Sequence, residues 1–206
     1  MARYTGPKLR LLRKLSLTSV TTHAKTTAKN PNRPGMHGDK KKRNKPTPYG
    51  LQLTELQKLR TAYMLSKKQL VGLFHTAEKA AGSTPENLIA LIETRLDIVT
   101  FRSNLAPTIF AAQQLVSHGH VQVNGRRMPF RSMRVKEGDI VTLTAKSAGN
   151  ANITKMGEQA PREIPPYLEG NKTDGYKLAS KPTLATVAIP TEVNLEAICS
   201  TIGYRN

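Results

Sequence analysis

The stretch HGHVQVNGRRM, residues 118–128, decides how this chain is read. Val121 and Val123 alternate with polar neighbours and run into Asn124-Gly125. That dipeptide most readily takes positive φ at both central positions of a type I′ turn, so a tight β-hairpin is expected. Directly after the turn stand Arg126 and Arg127, with His118 and His120 at the hairpin base. Hairpin tips usually carry small polar residues; two guanidinium groups beside a rigid turn point to an anionic ligand.

The hairpin sits inside a short α+β pattern. Ser83 and Thr84 with Pro85 and Glu86 open a helix that places Leu88, Ile89, Ile92, Leu96 and Val99 inward. After a break at Asn104 to Pro107, Thr108 is an N-cap for a helix through Ile109, Ala112, Leu115 and Val116, ending near Gly119. Beyond the hairpin, the Glu137-Gly138-Asp139 turn precedes a strand from Ile140 to Leu143. Helix, helix, hairpin and strand make a module near the smallest size that folds alone.

Upstream, Leu53, Leu56, Leu59, Tyr63 and Met64 recur at helical spacing. Ser66 and Gln69 form a capping box for a second helix, with Leu70, Leu73, Phe74 and Ala77 on one face and Gly82 closing it. Downstream, residues 149–175 are rich in Gly, Pro and polar residues, with Pro165-Pro166-Tyr167-Leu168-Glu169 extended. A short strand through Ala185 to Ile189 and a last helix capped by Thr191 complete the pattern. The expected fold class is α+β: a basic extension over 1–49, a helical domain over 50–92 completed by 176–206, and an inserted small α+β module with a C-terminal extended segment over 93–175.

Charge points the same way. Lys and Arg number 32 against 14 acids, a net charge of +18. Residues 1–49 alone hold +12, whereas 147–206 are neutral overall. A field this strong attracts polyanions, nucleic acid first and an anionic membrane surface second. The extension is broken by Pro31, Pro34, Gly35, Gly38, Pro46 and Pro48, and Lys40 to Arg43 repel one another. Such a segment gains order when phosphates neutralise it, and the rings of Tyr4, His23, His37 and Tyr49 interleave with its cations. Gly6-Pro7 and the later prolines argue against a transit peptide or a basic amphipathic membrane helix. The chain has no run of eighteen apolar residues, and its single Cys199 fits a reducing compartment and a buried packing role.

With these residues in place, the module ETRLDIVTFRSNLAPTIFAAQQLVSHGHVQVNGRR, followed by EGDIVTL, resembles the RNA-binding domain named after small-subunit ribosomal protein S-four. MARYTGPK at the start, PGMHG at 34–38, YGLQL at 49–53 and Pro-Tyr-Leu-Glu at 166–169 are similar to the full-length bacterial family. The module alone is grafted onto many RNA-modifying enzymes; the module with those flanks in order is far more specific. The resemblance implies that Arg95, Arg102, Gln113, Gln114, His118, His120, Asn124, Arg126 and Arg127 meet ribosomal RNA. In the extension, Arg3, Lys8, Arg10, Arg13, Lys14, Lys40, Lys41, Lys42, Arg43 and Lys45 are the expected phosphate contacts. Many family members carry arginine where this chain has Gln113, so the phosphate contact there is expected to be weaker or replaced by a hydrogen bond.

The family implies a primary binder of the small-subunit rRNA 5′ domain that nucleates assembly. It also implies contact with ribosomal protein S-five, a place along the mRNA entry path, and a share in decoding accuracy. No metal is expected, since the N-terminal zinc cysteines of some members are lacking; no cofactor, membrane or homo-oligomer is expected either, and the expected location is the cytoplasm, in the small ribosomal subunit. The rival reading is an RNA-modifying enzyme, because Arg95-Leu96-Asp97 matches the triplet around the catalytic aspartate of pseudouridine synthases. In those enzymes the aspartate lies in a large domain after the module, whereas Asp97 lies in a helix at its start. Asp97 is therefore expected to be a structural acid paired with Arg95, Arg102 or another nearby cation. The five histidines show no metal-ligand spacing, and no phosphate-binding glycine loop is present.

Overall fold

The computed structural model describes residues 4, 6–17, 32–36, 38, 47–151, 153, 155, 162–172, 174–187 and 193–203. The chain divides into two compact units, Met1–Pro85 with Ile189–Asn206, and Glu86–Ala188.

The first unit is helical. α1 (Lys8–Leu15) buries Leu12 and Leu15 and leaves Lys8, Arg10 and Lys14 exposed. It ends on Ser16 at φ 56°, where the Leu17 N–H reaches back to the Leu12 carbonyl, a Schellman closure that also buries Leu17. This part of the basic extension is a helix packed on α2 through its apolar face. α2 (Pro48–Ala62) starts with the Thr47 side chain accepting from the Gly50 N–H and with Pro48 in its first turn. α3 (Lys67–Glu78) opens with the expected Ser66/Gln69 capping box, and both of its hydrogen bonds are formed.

The second unit joins helices to a five-stranded antiparallel sheet. α4 (Thr84–Glu93) and α5 (Leu96–Arg102) are separate helices where periodicity suggests one. The break comes from pairing across the chain: Thr94 accepts from Val135 N–H, Leu96 N–H donates to Met133, and Arg95 makes an isolated antiparallel bridge with Arg134. α6 (Ile109–Ser117) starts at Thr108, whose hydroxyl accepts from Ala111 N–H as expected. It leads into β1 (Val121–Val123), β2 (Arg126–Arg127) and, after the 137–139 turn, β3 (Ile140–Leu143). A short α7 (Ala145–Ala148) follows.

β4 (Leu168–Asn171) and β5 (Gly175–Leu178) extend the sheet in the order β2-β1-β3-β5-β4. Ile140 and Val141 of β3 pair with Lys177 and Tyr176 of β5. Residues 176–187 thus belong with the sheet, whereas the sequence reading attaches 176–206 to the helices. Gly-rich composition masks this hairpin: Gly170 and Gly175 both take positive φ, and a Cβ on Gly175 would drive into Thr142 and Ile140 of β3. Residues 184–186 form a turn closed by Thr183 and Thr186, not the expected strand; Ile189 and Thr191 lie outside the described residues.

The final helix, α8 (Leu195–Gly203), belongs to the first unit and packs on α2 and α3. Its cap is Asn194, whose Oδ1 accepts from Ala197 N–H. Among the described residues no helix is long and apolar enough to cross a membrane.

Candidate nucleic-acid interface

The hairpin at 121–127 has the expected geometry. Asn124 and Gly125 take φ of 50° and 77°, and the register pairs Val123 with Arg126 and Gln122 with Arg127. Val121 and Val123 are buried, which holds β1 against the core, and both arginines of β2 are exposed. A second brace comes from Asn124: its Nδ2 donates to Asp139 Oδ1 at 2.8 Å, and its Oδ1 accepts from Ile140 N–H at 2.9 Å. Asp139 in turn accepts from Lys136 N–H. Asn124 is therefore committed to locking the hairpin tip onto the 136–139 turn.

The two arginines differ. Arg126 is exposed, while Arg127 Nη2 donates to the His118 carbonyl at 2.9 Å. Gly119, at φ 73°, makes that placement possible, because a Cβ there would occupy the position of the Arg127 guanidinium. Gly125 has a similar φ of 77° but open space around it. Gly119→Ala should then cost about 1–2 kcal/mol in strain and also displace Arg127. Gly125→Ala should carry only the strain. Urea unfolding with an RNA titration of both variants tests this; equal RNA affinity of the two would remove Gly119 from the positioning of Arg127.

His118 and His120 lie 6.0 Å apart between ring centroids. His118 is exposed, but His120 Nδ1 is 2.8 Å from Ser147 Oγ, which ties the hairpin base to α7. Gln114 is exposed on α6.

Three residues expected at the surface turn inward. Arg95 is only 4% exposed, and its Nε and Nη2 grip both oxygens of Asp97 at 3.0 and 2.9 Å. Asp97 also accepts from its neighbour Ile98 N–H and, at 3.4 Å, from Gln113 Nε2. Gln113 Oε1 accepts from Arg131 at 3.1 Å. Its amide carries both a donor and an acceptor, so it links an acid to a cation within the fold. Arg102 makes a second fork, with Nε and Nη2 on Glu93 at 3.1 and 2.6 Å, and Glu93 also accepts from the Tyr167 hydroxyl at 2.8 Å. Burial, and next the Glu93 charge, push the Tyr167 hydroxyl far above its ordinary pKa.

Lys8, Arg10 and Lys14 line the exposed side of α1, and Arg13 Nε donates to the Asn32 carbonyl. Arg3, Lys40, Lys41, Lys42, Arg43 and Lys45 lie outside the described residues. The sequence reading passed over Arg131, Arg134 and Lys136, although residues 126–136 carry five cations and no acid, a run visible in the sequence. Arg162 had no local signal. It lies 3.9 Å over the Phe101 ring and donates to the Ala106 and Pro107 carbonyls, with its pKa lowered by burial and then by Arg102. Among the described residues no cluster of three His, Cys, Asp or Glu could hold a metal ion.

Residues 3–93 match the family described as Ribosomal protein S4/S9 N-terminal domain, and residues 94–141 match the S4 domain. The small ribosomal subunit protein uS4 of Protochlamydia amoebophila is 37% identical over 206 residues, 99% of each chain. That of Methylobacillus flagellatus is 39% identical over 194 residues, covering 94% of this chain and 95% of its own. The Chlamydia trachomatis serovar L2 protein is 38% identical over 211 residues, with both chains covered in full. A braced arginine hairpin on an S4 domain, preceded by the matching N-terminal domain and with relatives alike from end to end, places this chain in the small ribosomal subunit protein uS4 family.

Proposed function

We propose that the chain binds the 5′ domain of small-subunit rRNA early in assembly, as a structural, non-enzymatic component of the small ribosomal subunit in the cytoplasm. The observation that carries this reading is the hairpin whose backbone fixes Arg126 and Arg127 outward on an Asn-Gly turn. Phosphate contacts position a protein on RNA, and a rigid base loses little entropy in making them. Contact with ribosomal protein S-five, a place by the mRNA entry path, an effect on accuracy and the absence of a homo-oligomer rest on the family resemblance. The synthase alternative finds no support, since Asp97 is fully buried and engaged by Arg95, Ile98 and Gln113.

Arg126→Ala with Arg127→Ala tests the reading. Affinity for a 5′-domain rRNA transcript should fall, and the slope of log affinity against log salt should become shallower by about two units. Unchanged affinity and slope would remove the hairpin from the interface.

A further inference from the structure

We propose that Phe130 is a stacking platform for an unpaired nucleobase of the bound RNA, an inference that rests on the RNA-binding reading above. Phe130 is 61% exposed, whereas Phe74 is buried and Phe101 and Phe110 are partly buried. A single exposed apolar side chain is ordinary; its setting is not. Arg126, Arg127, Arg131, Arg134 and Lys136 surround it in sequence without an acid, so the local field favours a polyanion over an apolar or cationic protein face. At most about 11 Å of chain separates Phe130 from Arg127, within the reach of one or two nucleotides.

The backbone around the ring is fixed on both sides. Met128 N–H donates to Val121 on β1, Asp97 and Leu96 at the start of α5 donate to the Arg131 and Met133 carbonyls, and Met133 N–H closes a turn onto Phe130. An aromatic ring with two side-chain torsions on a pinned loop has little freedom to lose when a base lands on it. Every base offers a π-face, so the contact is tolerant of sequence and complements the phosphate contacts of the neighbouring arginines.

The test uses the full chain and a transcript of the 5′ domain of a bacterial small-subunit rRNA. Phe130→Ala should bind about five- to a hundred-fold more weakly with an unchanged salt slope, because stacking releases no counterions. Phe130→Leu should be similarly weak, which separates stacking from apolar contact. The chain contains no tryptophan, so Phe130→Trp introduces a lone fluorophore. It should keep wild-type affinity and be quenched on RNA addition. Circular dichroism confirms that each variant is folded. Phe130→Ala within two-fold of wild type, Phe130→Leu binding like wild type, or an unquenched indole overturns the proposal while leaving the arginine result intact. The first of these would assign the ring to a protein neighbour. Failure of the wild-type chain to bind the transcript overturns both readings.

Discussion

Asp97→Ala lowers the stability of the chain by about 3–5 kcal/mol, because it leaves the Arg95 guanidinium buried without its counter-charge. Each Asp97 oxygen faces one Arg95 nitrogen, and neither side chain has more than a trace of solvent contact. The loss spreads further, since Ile98 N–H and Gln113 Nε2 also lose an acceptor. Asp97→Asn keeps the shape but not the charge and should fall between wild type and Asp97→Ala. Replacing both partners, Arg95→Met with Asp97→Leu, should recover most of the loss, because an apolar pair of similar volume removes the desolvation cost along with the attraction. Urea unfolding followed by circular dichroism measures all three. A folded Asp97→Ala within 0.5 kcal/mol of wild type would show that the pair is not structural, the outcome a catalytic aspartate would give.

The same pair explains what could and could not be read from the sequence. The hairpin was legible because its causes are local: valine alternation and an Asn-Gly dipeptide. The Ser66 capping box and the Thr108 cap were legible for the same reason. The split between α4 and α5 was not, because the carbonyls that capture Leu96 and Asp97 belong to Met133 and Arg131, more than thirty residues away. Nor were the strands β4 and β5, whose glycines imitate a linker until β3 is placed beside them.

Charge was the most misleading signal at single positions. Residue type alone made Arg95, Arg102 and Arg126 equivalent, yet two of them carry a buried or half-buried carboxylate fork and one faces solvent. Acids at 93 and 97 were in view in the sequence; which arginine each would take depends on the turn of α5. Arg126, Arg134 and Lys136 stay exposed, and none of the three side chains forms a carboxylate fork of the kind that holds Arg95 and Arg102.

Glu93→Ala should destabilise the chain about as much as Asp97→Ala, by about 3–5 kcal/mol, since Glu93 is fully buried and joins Arg102 to Tyr167. This carboxylate ties α4 and α5 to the segment that enters β4, 74 residues along the chain from Glu93. Tyr167→Phe removes one hydrogen bond to a charged group and should cost about 1.5–3 kcal/mol. The tyrosine also gives the site a pH signature. Its folded pKa is raised, so its contribution is fully present below the unfolded value near 10 and is lost as pH climbs above that toward the folded value. In that window the unfolded chain sheds the phenolic proton while the folded chain keeps it, and stability falls with rising pH. Tyr176, raised by burial, adds to the same decline. Tyr167→Phe should therefore show a shallower but not flat loss of stability above about pH 10. A variant whose alkaline slope equals that of the wild type would mean that the hydroxyl is not held against Glu93 in the folded chain.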